Sequence, residues 1–485
     1  MIKRILSFVV FIFLLSSCVS QADVLENADK LVEKGKFAIA TEILKESLNS
    51  TNDSELKETI RWEIERINRI RRDYSETREV MLKSLGRRIV DFKDEELDQW
   101  EEKGLFDVRI IDGTKYYQFP SVSNLFYRNY DIKIRKKGYR KESNEDNDHW
   151  ADYEKLMAIK KEVKDSICSP RICEITMTVT VDADVVSHGS VIRAWIPYPK
   201  QYKTQSGIKL LDSIPEEVEI NKPEQPMRAV YMEKPAIEGE PTKFQIHYNL
   251  ICYANVTEVD PDNVLPYNEN DPLVKYYLSE KAPHVLFLPE IVDLAKEIVG
   301  NETNPYLKAK KIYRWIGKNI KYSYAHEYST MKNISKFVCN RRYGDCGQEA
   351  LLFITLCRAS GVMARWQSGW TLYDEWTGIH DWTEIYIEPY GWLPVDPYMG
   401  IHFTSMSEAL ESDKLEKLAD FYFGNMDQYR LIANLEHGYP LYPPKDDFRS
   451  DTVDFQRGEV EANGKNIYYG NFSYKLRVKE IDPCK

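Results

Sequence analysis

The sequence predicts an α+β fold in three parts, on three observations. Residues Val24 to about Leu85 repeat apolar side chains at helical spacing. Between Ile172 and Tyr253 the apolar period shortens to two, with turn residues between the runs. After Pro261 helical stretches come first and strand patterns follow, the order of an α+β domain. At 485 residues the chain is too long for one ordinary domain.

The first residues read as an address rather than as fold. Lys3 and Arg4 precede an apolar run from Ile5 to Leu15, too short to remain as a spanning helix. Leu15-Ser16-Ser17-Cys18 resembles a bacterial lipobox, in which the signal is cleaved and Cys18 carries lipid. The competing reading is an ordinary signal peptide with a chance cysteine, and the small residues before Cys18 favour lipidation. The expected location is the bacterial cell envelope. There the chain would be lipid-anchored at the outer membrane, facing the periplasm or the surface.

In the helical region Leu31, Val32, Phe37, Ile39, Ala40, Ile43 and Leu44 recur at helical spacing, with Lys and Glu between them. Gly35, Phe37 and Ala40 are similar to one helix-turn-helix repeat unit, but stacked repeats need several. Asp112-Gly113 between two alternating runs predicts a hairpin. Lys141 to Asp148 is polar enough for an exposed loop. The four alternating runs from Ile172 to Tyr253 imply a β-sandwich. Pro197 and Pro199 should end its second strand or put it at a sheet edge.

Helices are expected over Pro289–Val299 and Tyr306–Ile320, then strands over Ala364–Leu372, Trp382–Glu388 and Trp392–Val395. Gly458 to Val478 returns to strands, with a turn at Asn463-Gly464. Between these lies Arg341 to Gly361, where a glycine turn leads into Cys346. A helical run follows, with Ala350, Phe353, Ile354 and Cys357 on an apolar band and Gly361 as its cap. A cysteine at a helix start meets free N–H groups and the positive dipole end, which favour a thiolate.

Composition narrows the function. Lys and Arg number 66 against 77 Asp and Glu, a net charge of −11, which argues against nucleic acid as a partner. The other cysteines show no C-x-x-C, and no H-E-x-x-H is present, so no metal and no cofactor are expected. Outside the cytoplasm some could pair, and Cys168 with Cys173 would close a tight loop. Cys357 reads as a buried free thiol.

Four motifs carry a family resemblance. G-D-C at Gly344–Cys346, R-A-S-G-V-M-A-R at Arg358–Arg365, H-D-W at His380–Trp382 and G-W-L-P-V-D-P at Gly391–Pro397 resemble the transglutaminase-like superfamily. Trp315-Ile316 with Asn319–Tyr322 is similar to its segment before the nucleophile, and V-I-R-A-W-I-P-Y-P to the sandwich modules that precede such cores. The resemblance implies a papain-like, transglutaminase-like catalytic core with a Cys-His-Asp triad. The chain then divides into a signal peptide over 1–18, a helical region with a β-hairpin over 19–165, a β-sandwich over 170–255, and a catalytic domain with C-terminal strands over 260–485.

Chemistry assigns roles to the same residues. Cys346 would attack, His380 would hold and return the proton, and Asp396 would orient the imidazole. The oxyanion would meet the Cys346 N–H and a second donor, for which the resemblance implies an upstream side chain: Tyr322, or the Trp315 indole. Asp381 should be a poor orienter, because neighbouring strand residues face opposite ways. Trp382, on the His380 face, should shield the pair from water.

The leading expectation is a cysteine peptidase or amidase that passes through a thioester with a peptide or protein substrate. A glutamine cross-linking transglutaminase is the alternative, and so is a glycan- or peptide-binding lipoprotein whose triad is unused. Hydrolysis is favoured because nothing in the sequence excludes water in favour of an amine, and no calcium-loop pattern is present. Specificity would lie in the loops Ala325–Ser335, Tyr373–Ile379 and Met399–Ser407. The sequence gives neither the substrate nor the oligomeric state.

Overall fold

Apolar periodicity decides most of the architecture. The computed structural model describes residues 21–140, 153–162, 166–373, 377–405 and 412–481. Cys18 with its signal segment and the polar stretch Lys141–Asp148 lie outside them.

The chain forms two compact units: residues 1–78 with 108–118, and residues 79–107 with 119–485. In the first, helices Gln21–Glu33, Phe37–Ser50 and Ser54–Asp73 pack through Ala28, Val32, Phe37, Ala40, Leu44, Ile60 and Ile67. Ile39, expected among them, is exposed. Asp53 caps the third helix, with Oδ1 accepting from the Glu55 and Leu56 amides at 2.9 and 3.1 Å. The helical pattern stops at a short strand, Tyr74–Glu76, which joins the hairpin Val108–Ile111 and Thr114–Gln118. Asp112 and Gly113 take positive φ at its turn, as predicted.

The second unit holds the sandwich and the mixed core. One sheet runs Phe472–Glu480, Ser166–Val181, Thr242–Val256 and Gln205–Ile214. The other runs Lys465–Asn466, Glu459–Ala462, Val191–Pro197, Ala229–Pro235 and Glu219–Ile220. Thr242–Val256 buries alternate residues, the mark of a strand with one face on a core. Two corrections follow. The C-terminal strands, assigned by sequence to the catalytic domain, complete both sheets of the sandwich. Val191–Pro197 ends at Pro197, the first of the two outcomes expected of its prolines, and it lies inside its sheet between Glu459–Ala462 and Ala229–Pro235. The helical region also divides differently: residues 79–107 and those after 119 belong with the larger unit, since their apolar faces find partners there.

The mixed core is a four-stranded antiparallel sheet in the order Gly391–Val395, Thr377–Ile387, Ala364–Leu372, Arg430–Asn434. Helices Pro289–Val299, Pro305–Asn319, Ile334–Arg341 and Cys346–Ala359 pack with it around Ile312, Ile316, Ala350, Phe353, Ile354, Trp366 and Ile385. Pro394 sits on the edge strand, where a missing N–H costs least. Trp370, Leu372, Leu431 and Ala433 of this sheet share a core with the sandwich, so the two modules meet through side chains. The six described cysteines from Cys168 to Cys357 are free thiols, and Cys357 is buried as expected.

Candidate active site

Cys346 opens its helix on a reciprocal cap. Asp345 Oδ1 accepts from the Gln348 amide at 3.1 Å, and Gln348 Oε1 accepts from the Asp345 amide at 3.3 Å. The helix is buried on every side from Gly347 to Arg358, more completely than the predicted band. Gly361 follows its cap with φ +78°, as the sequence suggests. Just before it, Tyr343-Gly344 pairs in parallel with Lys321-Tyr322, and Tyr322 lies opposite Gly344. That register brings the Tyr322 side chain beside Cys346. Trp315 instead packs against the helical core, with the Arg342 guanidinium 4.7 Å above its ring. Of the two oxyanion candidates, the fold brings only Tyr322 to the cysteine.

His380 lies inside its strand, opposite Gly369. The strand begins at Thr377, earlier than predicted, because His380 and Asp381 also pair along the Ala364–Leu372 strand. A Cβ at Gly369 would come within 3.0 Å of the Leu431 and Ala433 backbones, so only glycine lets the strands close here. His380 Nε2 and Asp396 Oδ2 are 2.8 Å apart and both side chains are buried. Asp396 Oδ1 also accepts from the Met399 amide at 3.2 Å. Trp382 stacks on the imidazole with centroids 5.8 Å apart, the shielding position expected of it, and its Nε1 donates to Gln367 Oε1. Tyr398 meets His380 edge-on at 5.4 Å and is also an electrostatic neighbour of Cys346. The cysteine and the His380–Asp396 pair therefore face a common tyrosine.

The comparisons with known proteins fall on these residues. Residues 292–397 match the family model described as the transglutaminase-like superfamily core. The chain carries a transglutaminase-like domain. An uncharacterized Bacillus subtilis protein, YebA, is 27% identical over 153 residues, which is 27% of this chain and 20% of that protein. An uncharacterized Haemophilus influenzae protein is 25% identical over 219 residues, 40% of this chain and 59% of that one. The chain thus spans a fifth and about three fifths of these curated relatives. A solved structure from Cytophaga hutchinsonii, described as a conjectured cysteine protease, aligns with a TM-score of 0.42 at 16% identity, covering 65% of this chain and 93% of that one.

Sequence reasoning misses Arg430 and gives Asp381 only a negative role. Arg430 is buried, with Nη2 3.2 Å from Asp396 Oδ2 and 3.8 Å from Asp427 Oδ2. Its guanidinium also lies 5.6 Å from the Trp382 ring centroid. It stands in an ordinary strand sequence, R-L-I-A-N, and nothing local distinguishes it. Asp381 does face away from Asp396, as strand alternation requires, but it does not face solvent. The Cys346 thiol donates to Asp381 Oδ2 over 3.5 Å, and Gln456 Nε2 donates to Asp381 Oδ1 and to the His380 carbonyl, each at 2.8 Å.

These neighbours overturn the expected thiolate. Burial pushes the Cys346 thiol well above the ordinary thiol range, and the Asp381, Asp345 and Glu349 carboxyls push the same way. The helix N-terminus is present but outweighed. Burial pulls the His380 imidazole below its ordinary value, and the Arg430 charge adds to this while Asp396 opposes it. Asp396 itself stays below the ordinary carboxyl value despite burial, because His380 and Arg430 sit against it. The resting pair is a neutral thiol and a neutral imidazole beside an ionised acid.

Proposed function

We propose that the chain is an extracytoplasmic, lipid-anchored cysteine hydrolase that cleaves amide bonds of peptides or proteins through a thioester on Cys346. The observation that carries this reading is the His380–Asp396 contact of 2.8 Å between two buried side chains, with Tyr398 a neighbour of both His380 and Cys346. The motif matches and the transglutaminase-like domain support it.

With Nε2 committed to Asp396, His380 has Nδ1 left for proton transfer. Sγ attacks the amide carbonyl carbon while the thiol proton passes to Nδ1. The carbon–nitrogen bond then breaks and the same proton leaves on the amine. Water, deprotonated by His380, attacks the thioester, and the proton returns to sulfur as the acid is released. Arg430 holds Asp396 ionised through both steps, so the imidazolium that forms is balanced by a carboxylate already in place. The Cys346 N–H, at the first position of its helix, and the Tyr322 hydroxyl are suited to the oxyanion.

Incubation with casein or a peptide library, followed by mass spectrometry, tests the reading. New amino termini without isopeptide-linked product are expected, and these termini vanish in Cys346→Ala. Isopeptide product as the main species would overturn hydrolysis in favour of cross-linking. Lipidation is tested separately: Cys18→Ala should move the protein from the membrane fraction to the soluble envelope fraction.

A further inference from the structure

Around Asp381, the residue that accepts from the Cys346 thiol, four carboxyl groups gather: Asp381 itself, Asp345, Asp451 and Asp454. None belongs to the mechanism above. Asp381 and Asp454 are within hydrogen-bonding reach of each other and both buried. Asp454 Oδ1 accepts from the Ser368 hydroxyl at 2.5 Å and from Asn434 Nδ2 at 3.2 Å. Asp454 Oδ2 is buried and receives no donor among the described residues. A buried carboxyl oxygen without a donor is costly unless it accepts a proton. Asp381 can bring one, since its own Oδ1 and Oδ2 are placed by the Gln456 amide and the Cys346 thiol.

We infer that Asp381 and Asp454 form an acid–carboxylate pair sharing one proton, and that Asp381, through Oδ2, holds Cys346 as a thiol turned from its base. Asp381 is thus a positioning residue for the nucleophile, and this rests on the reading of Cys346 as the attacking group. An acceptor oxygen facing sulfur can be satisfied by S–H and not by S⁻, so the contact selects the protonated form. Gly347 permits the approach. A Cβ there would lie 2.5 Å from Asp381 Oδ2 and 3.0 Å from the Trp366 ring, and would also strike the Tyr328 hydroxyl. On attack the thiol proton leaves for His380, and the shared proton stays between the carboxyls.

The surrounding charges agree. Asp454 and Asp345 are both pushed up to about 6. Asp381 is raised well above the ordinary carboxyl value by burial, and Asp454, Asp345 and Asp451 push the same way. The Tyr328 hydroxyl donates to Asp345 Oδ1 at 2.6 Å, and Arg457 stabilises the Asp345 anion. Glu349, one turn into the helix, carries a buried carboxyl with no donor on either oxygen among the described residues and adds to the field at sulfur.

The test is site-resolved iodoacetamide alkylation of Cys346 from pH 5 to 10 in the full chain. In the native protein the midpoint should lie above that of an ordinary thiol, about 8.5. Asp381→Asn turns the acceptor into a donor facing sulfur and should lower the midpoint by about one to three pH units. Alkylation at neutral pH then rises roughly tenfold or more. Asp454→Asn, which never touches sulfur, should lower it less and serves if the first variant does not fold. An unchanged or raised midpoint in the folded variants overturns the inference. Peptide cleavage lost in Cys346→Ala alongside such a null shift would sink this pair and leave the nucleophile standing. A downward shift without any Cys346-dependent cleavage would instead remove the nucleophile and keep the pair.

Discussion

His380 and Asp381 are consecutive residues of one strand, and their surroundings differ as much as any two in the protein. On the His380 side one carboxylate, Asp396, meets a buried guanidinium and an imidazole, so burial does not stop it ionising. On the Asp381 side the charges that act on the carboxyl are other carboxyls, so burial wins and its pKa rises. The same side chain is an orienting anion in one setting and a proton holder in the other. Partner charge decides, and residue type does not.

The sharpest break in that comparison comes from removing the compensated side. His380→Ala or Asp396→Asn should lower turnover roughly 10⁴-fold, with product release from peptides as the readout. Asp396→Asn that retains near-native turnover would mean the acid does not orient the imidazole. Tyr322→Phe should cost roughly 10²- to 10³-fold in kcat with little change in KM, as expected for a donor used only in the transition state. An equal loss in KM would make it a binding residue instead.

Arg430→Met tests what keeps the compensated side compensated. Deleting the cation leaves Asp396 and Asp427 buried beside each other and should cost about 3–5 kcal/mol in chemical denaturation. It should also raise the His380 pKa, because Arg430 disfavours the imidazolium. The acid limb of the activity profile, which needs neutral His380, then moves to higher pH. A limb that stays put would show that Arg430 is structural only.

A second compensated site lies under the Cys346 turn and predicts a smaller, global effect. Asp107 meets Arg128 Nη1 at 2.9 Å, the Tyr343 hydroxyl and His326, and these partners hold its carboxyl far below the ordinary range against burial. A depressed carboxyl contributes stability that is complete above its unfolded value, about 3.9, and is lost as pH falls toward the native one. Asp107→Asn should therefore destabilise by about 3 kcal/mol at pH 7 and flatten the stability curve below pH 4. A variant curve parallel to the native one down to pH 2 contradicts the assignment.

The sequence was most legible where a motif and a period coincide. Cys346 follows a glycine turn and starts an apolar helix, His380 comes out inside a strand, and Asp396 directly follows the end of one at Val395. Tyr322 was named only through the family resemblance, and its pairing opposite Gly344 comes from the fold. Arg430, Gln456 and Asp454 were not legible. They reach the site from a strand and loop with no period or spacing tied to chemistry, and only the tertiary fold gives them partners. The same holds for the C-terminal strands, whose alternation predicts strand but not which sheet they join. The thiolate expectation failed for a related reason. Helix position is local and readable, whereas the depth of burial and the Asp381 carboxyl, 35 positions away, come only with the fold.

The central claim is a covalent bond on one sulfur, and acid-quenched intact-mass spectrometry during peptide turnover addresses it directly. The account predicts an adduct equal to the acyl fragment, mapped to Cys346 and absent in Cys346→Ala, which releases no amine. Turnover that persists in Cys346→Ala, or an adduct on another residue, would contradict it.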